Sequence, residues 1–128
     1  MKVSRFEDLE IWQIARELYK YAYELTSRSI FDNDRKLRSQ MRGSSGSMAD
    51  NVAEGFGRGG NKEFYNFLSI AKGSSDELRS QGYRASDVFL ISKDEFNYLM
   101  EKTEQFSAKT TRLMIYLKSS GNKGVKFD

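Results

Sequence analysis

The stretch SQMRGSSGSMADNVAEGFGRGGNKEFYNFLSIAKGSSDEL, Ser39 to Leu78, decides how this chain folds. It holds seven of the chain's ten glycines. Two segments with helical spacing meet in it at a glycine-rich corner, Gly55-Phe56-Gly57-Arg58-Gly59-Gly60. Before the corner, Leu37, Met41, Met48, Val52 and Phe56 recur thinly around Gly43-Ser44-Ser45-Gly46-Ser47. In an isolated peptide each glycine there would weaken a helix by about 1 kcal/mol relative to alanine, so a linker is one reading. The other is continuous helix, because Met41, Ser44, Met48 and Val52 keep helical spacing. The helix is favoured, over about residues 34–56, with Asp32 or Asp34 as its N-cap.

Gly55 and Gly57 suit a helix C-terminus in the left-handed conformation. After the corner, Asn61 suits an N-cap and Glu63 the first turn of a helix over about 61–90. Phe64, Leu68, Ala71, Ser75, Leu78, Gly82, Ala85 and Phe89 form its heptad seam. The middle of that seam is small, like the serine-glycine middle of the preceding helix, which predicts that the two cross closely. A glycine-rich loop ahead of a helix can also cradle phosphate. The lysine and hydroxyl residue that should follow the last glycine are missing here, and no strand precedes the loop, so a turn is the better reading.

Working outward, the first helix is predicted over about residues 7–29. Ser4-x-x-Glu7 fits a capping box, and Ile11, Ala15, Leu18, Ala22 and Leu25 alternate steps of four and three. Trp12, Tyr19 and Tyr23 run beside that seam and widen the apolar arc beyond what one bundle core needs. On the C-terminal side, Ser92 to Glu95 forms a second capping box opening a helix over about 93–119. Its seam is Phe96, Leu99, Thr103, Phe106, Thr110, Leu113 and Leu117. The expectation is an all-α, antiparallel up-down four-helix bundle, one domain over residues 1–120, with a flexible tail over 121–128.

Composition bounds the chemistry. With no cysteine there is no disulfide framework, zinc-thiolate site or thiol nucleophile, and with no histidine the usual general base is missing. No window approaches a transmembrane span, and the acidic N-terminal stretch does not resemble a signal peptide, so a cytoplasmic protein with no membrane partner is expected. The formal charge of +3 is a mild basic bias.

The central stretch resembles the 23S rRNA intervening-sequence protein family. The resemblance rests on Gln40-x-Arg42, Ser47, Asn51-Val52-Ala53-Glu54-Gly55-Phe56-Gly57-Arg58, Glu63-Phe64, Phe67-Leu68, Ala71, Gly73-Ser74 and Glu77-Leu78. Phe6-x-Asp8-Leu9-x-Ile11-Trp12-x-x-Ala15 resembles that family's first helix. What this implies is a four-helix bundle assembling as a ring-like homopentamer; no cofactor is expected. Some members are encoded within bacterial 23S rRNA genes. A related branch, the accessory protein of diversity-generating retroelements, binds nucleic acid and a reverse transcriptase. The chain departs from the pattern at Gly43, where a second arginine is common, and at Ala49, where a proline is frequent. It departs again at Ser44, Ser45 and Gly46, and at Gly82, a frequent leucine.

Three functional readings follow. Nucleic-acid binding draws on charge: residues 28–42 hold five basic and two acidic side chains, and residues 109–128 hold five basic and one acidic. The candidate phosphate-binding residues are Arg35, Lys36, Arg38, Arg42, Arg58, Lys62, Lys109, Arg112 and Lys118, and an oligomer would repeat them into a belt. The alternative is a protein-interaction scaffold, since nine Phe, seven Tyr and one Trp exceed one bundle core. Trp12, Tyr19, Tyr23 and Tyr65 are the oligomer-interface candidates, subunit contacts being the first explanation of the surplus and a partner protein the next. Catalysis is the least supported. Glu54 and Glu77 could form an acid–base pair if the second and third helices brought them together, but structural partners suit both better: Arg58 for Glu54, and a polar group from 44–51 for Glu77.

Overall fold

The computed structural model describes residues 2–120. Four helices follow one another: α1 (Glu10–Thr26), α2 (Arg35–Arg58), α3 (Asn61–Asp87) and α4 (Lys93–Ser119), with single 3-10 turns at Phe6–Asp8 and Ser29–Asn33. Each helix packs on its sequence neighbours and α1 returns to α4, closing a four-cornered up-down bundle. The predicted tail, 121–128, lies outside the described residues.

The α2–α3 pair is the spine. Gln40 meets Arg84, Ser44 meets Gln81 and Ser47 meets Ser74, so the helices run antiparallel in fixed register. The serine-glycine middle of α2 is helix throughout. Two of its hydroxyls bond across to α3, and a third folds back onto its own helix. Ser44 donates to the Gln81 side-chain oxygen at 2.6 Å, the Ser74 hydroxyl donates to Ser47 at 2.9 Å, and Ser45 donates back to the Met41 carbonyl at 2.7 Å. Small side chains let the backbones approach until these bonds close. The expected close crossing is there.

The glycine corner differs from its sequence reading. Gly55 and Gly57 are both inside α2, and the left-handed residue is Gly59, at φ 89°. Gly55 is glycine for a different reason: a Cβ there would stand 2.6 Å from the Phe67 Cβ. The α3 N-cap is Gly60, so Asn61 is the first helical residue. Its side-chain amide instead reaches across to α4, donating to the Leu117 carbonyl at 3.3 Å and the Ser120 hydroxyl at 2.6 Å.

The other boundaries follow from burial. The capping box at Ser4 and Glu7 does not form, and α1 starts at Glu10 after an extended Leu9. Leu9 is buried, and the partly buried Phe6 sits edge-on against Trp12 at 5.1 Å, so the chain bends onto the core ahead of the helix. The seam of α1 is the predicted one, with Ile11, Ala15, Leu18, Ala22 and Leu25 all buried. At α2, Asp34 is the cap and accepts from the Leu37 amide at 3.0 Å. At α4, the Ser92–Glu95 capping box forms with both bonds. Helix α3 stops at Asp87, short of the predicted 90, and Phe89 leaves the seam for solvent. Leu90 and Ile91 turn inward in its place.

Candidate nucleic-acid interface

Antiparallel packing sorts the candidate basic residues into two groups toward opposite ends of the bundle, about 35 Å apart along a helix of this length. The first end gathers the α1–α2 and α3–α4 links. The second gathers the α2–α3 corner, the N-terminus of α1 and the C-terminus of α4.

At the first end most of the arginines are occupied. The last carbonyls of α1 need donors, and arginines supply them. Arg38 Nε donates to the Thr26 carbonyl at 2.6 Å, while its terminal nitrogen reaches the Arg28 carbonyl and the Asp32 carboxylate. Arg42 donates to the Thr26 and Ser27 hydroxyls and lies 3.9 Å over the Tyr23 ring. Arg28 forks onto Glu95 at 2.8 and 3.1 Å and also donates to the Leu90 carbonyl. Of the predicted set here, only Arg35 and Lys36 are exposed without a side-chain partner among the described residues.

Glu95 carries the electrostatics of this end. Partial burial works against its ionisation, but the Ser92 amide and the Arg28 guanidinium outweigh that and hold its pKa below the ordinary glutamate value. Tyr21, stacked at 4.3 Å on Tyr98, has its hydroxyl pKa raised, first by burial and then by the Glu95 charge.

At the second end the balance reverses. Lys62 and Lys118 are exposed and lie on either side of a cleft of about 340 Å³ between α3 and α4. Asn61, Tyr65, Asn66 and Leu117 complete its lining. A neighbouring cleft of about 310 Å³, between α1 and α4, includes Lys109, Arg112 and Tyr116. Lys109 is bound to Glu10 at 3.1 Å, whereas Arg112 has no ion pair among the described residues. Arg58 pairs with Glu54 at 3.1 Å and lies 5.2 Å from the Phe67 ring centre. The lysine–amide–tyrosine cleft was not foreseen. Its signal was faint, because Asn61 reads as a cap.

The aromatic candidates do not form one surface. Trp12 and Tyr19 line a groove of about 440 Å³ between α1 and α2, with Arg16, Gly46 and Ala49, and Tyr23 lies one turn beyond Tyr19. Tyr65 is instead on the α3–α4 side, in the lysine cleft.

Most motif residues are structural. Gln40 accepts from Arg84, Asn51 donates to the Ser47 carbonyl and hydroxyl, and Ser74 bonds Ser47. Phe64 packs edge-on to Phe56 at 5.9 Å, and Leu68, Ala71 and Leu78 are buried. Ala53 is half-buried, while Gly57 and Gly73 face solvent. The acid–base pair is not assembled. Glu54 lies level with Phe67, beside Gly55, and Glu77 is about 15 Å further along α3. Glu77 is exposed and takes no partner from residues 44–51, contrary to expectation. No group of acidic residues able to hold a metal occurs among the described residues.

Taken together, the fold is an all-α bundle of four antiparallel helices, pinned by a polar α2–α3 seam. The chain belongs to the 23S rRNA-intervening sequence protein family, whose model matches residues 7–112. A similar solved structure is a protein of unknown function from the S23 ribosomal protein family of Bacteroides thetaiotaomicron. The two share 14% identity at a TM-score of 0.70, over 81% of this chain and 97% of that one, which is a likeness of fold. A search of curated proteins gave no significant match. No helix among the described residues is long and apolar enough to cross a membrane.

Proposed function

We propose that the protein is a non-enzymatic, oligomeric nucleic-acid-binding bundle that grips phosphates with the cations its own fold leaves unused. The supporting observation is the lysine cleft at the second end, where Lys62 and Lys118 face solvent across a groove lined by amides and a tyrosine. Arg112 near it, and Arg35 and Lys36 at the first end, extend the set. Arg38 and Arg42 do not belong to it, because their guanidinium groups are consumed by the α1 terminus. Contacts of this type bind the backbone of RNA or DNA without reading sequence. The test is fluorescence anisotropy with RNA and DNA duplexes across a salt series. Affinity should fall steeply with salt, and K62E/K118E should lose it. Salt-independent binding, or an unaffected double variant, contradicts the reading.

The groove of Trp12 and Tyr19 supports self-assembly, with a homopentameric ring as the form the family resemblance suggests. A ring needs two different complementary faces. The α1–α2 groove is one, and the α3–α4 side, where Ile70 and Ile115 are more than half exposed, offers the other. Light scattering should give a five-fold particle that W12A/Y19A dissolves. A monomer would favour the scaffold reading, in which a partner protein, a reverse transcriptase being one type, covers the groove.

A further inference from the structure

Where α3 ends, the backbone adopts a conformation its side chain disfavours. The Leu90 amide donates to the Ala85 carbonyl at 2.9 Å and the Phe89 amide to the Ser86 carbonyl at 3.1 Å, the paired bonds of a Schellman stop. The residue after the C-cap of such a stop is left-handed and is usually glycine. Here it is Phe89, at φ 62°, which is the one positive-φ residue other than glycine among those described. For a bulky L-residue that conformation is strained. Burial does not offset the strain, since Phe89 is 85% exposed and Val88 beside it 61%. The buried apolar residues of this turn are Leu90 and Ile91. The stop therefore holds an aromatic ring out in solvent on a hydrogen-bonded backbone.

Its surroundings indicate what the ring meets. Gln40 and Arg84 face one another across α2 and α3. One turn away from each, in the antiparallel register, come Lys36 and Val88, so Lys36 and its neighbour Arg35 are level with the Phe89 turn. Of the carboxylates at this end, Asp32 and Glu95 are held in ion pairs by Arg38 and Arg28. Asp34 caps α2 by accepting from the Leu37 amide, and Glu24, Asp87 and Asp94 have no ion pair among the described residues, beside Arg35, Lys36, Arg84 and Lys93. An exposed ring on a rigid turn, with cations at its flank, is how proteins hold single strands, with a base on the ring and phosphates on the cations. We propose that Phe89 is a stacking platform for an unpaired nucleobase of single-stranded RNA or DNA, with Arg35 and Lys36 taking the adjacent phosphates. This rests on the nucleic-acid reading and adds to it a preference for unpaired strands.

The test compares labelled oligouridylate, oligothymidylate and a duplex of equal length, bound to the full chain and to F89A, F89W and F89G. F89A should weaken both single strands about tenfold, with duplex affinity unchanged. Equal loss on ribose and deoxyribose strands marks a contact to the base. F89W should keep single-strand affinity, and its indole emission should be quenched as the strand is added. F89G should lose single-strand affinity while raising Tm by about 3 °C, because glycine relieves the left-handed position. If the wild type binds strands and F89A binds them equally well, the platform is refuted and the phosphate reading stands. If the wild type binds neither strand nor duplex, the nucleic-acid reading itself fails. A fall in Tm for F89G would make the ring a packing element and overturn the proposal.

Discussion

The two ends of the bundle carry similar basic content and divide it differently between holding the fold and facing solvent. At the α1–α2 turn, Arg28, Arg38 and Arg42 fold back onto the end of α1 and satisfy its last carbonyls and hydroxyls. At the α2–α3 corner, Lys62 and Lys118 point away from it across an open cleft. A local excess of positive charge is therefore no measure of a binding surface. What counts is the charge left after the helix ends have been served, and arginine, with its forked donors, is the residue suited to serving them.

Substitutions can break or sharpen that contrast. The largest effect is expected for R38A, which leaves the buried Thr26 carbonyl without its donor and should lower stability by about 2–3 kcal/mol. Thermal denaturation would show this, while nucleic-acid affinity of the folded fraction stays unchanged. A loss of affinity with normal stability would move Arg38 to the binding set. R35A, only three residues away, should change stability by less than about 0.5 kcal/mol and reduce affinity instead.

Acid is the next probe. Glu95 titrates below its unfolded value in the folded protein, so its contribution is present above the unfolded pKa. That contribution is lost as the pH falls through the lower folded value. The wild type should lose stability on acidification in that window, and E95Q, which keeps the capping box but loses the charge and is about 0.5–1 kcal/mol less stable at neutral pH, should show a flatter dependence there. Parallel pH curves for the two would remove Glu95 from the account. The smallest effect belongs to K109A, whose partner Glu10 is largely exposed. A loss of about 0.5 kcal/mol or less is expected, read from urea midpoints.

The fold was legible because its signals are local. The seams Ile11 to Leu25 and Leu99 to Leu117 are repeats within one helix, and the Ser92–Glu95 box spans a single turn. The fate of the arginines was not legible, because their acceptors are set by tertiary folding: Thr26 lies twelve residues before Arg38, and Glu95 sixty-seven after Arg28. Glycine is ambiguous for a similar reason. Gly59 supplies a positive φ and Gly55 makes room for Phe67, yet both are read as the same letter. At Phe89 the heptad pattern ran on in sequence, and the burial of Leu90 and Ile91 ended it in space. The lysine cleft needed α3 and α4 side by side before Lys62 and Lys118 could be seen as a pair.

The most direct measurement is the salt dependence of duplex affinity for the wild type, K62A/K118A and R38A. The account predicts a linear fall of log K with log salt in the wild type. In K62A/K118A the slope should shrink by about 2, close to 0.9 per lost phosphate contact. In R38A, measured where it is folded, the slope should match the wild type. A slope that is unchanged in K62A/K118A but reduced in R38A would contradict the assignment of inward and outward charge.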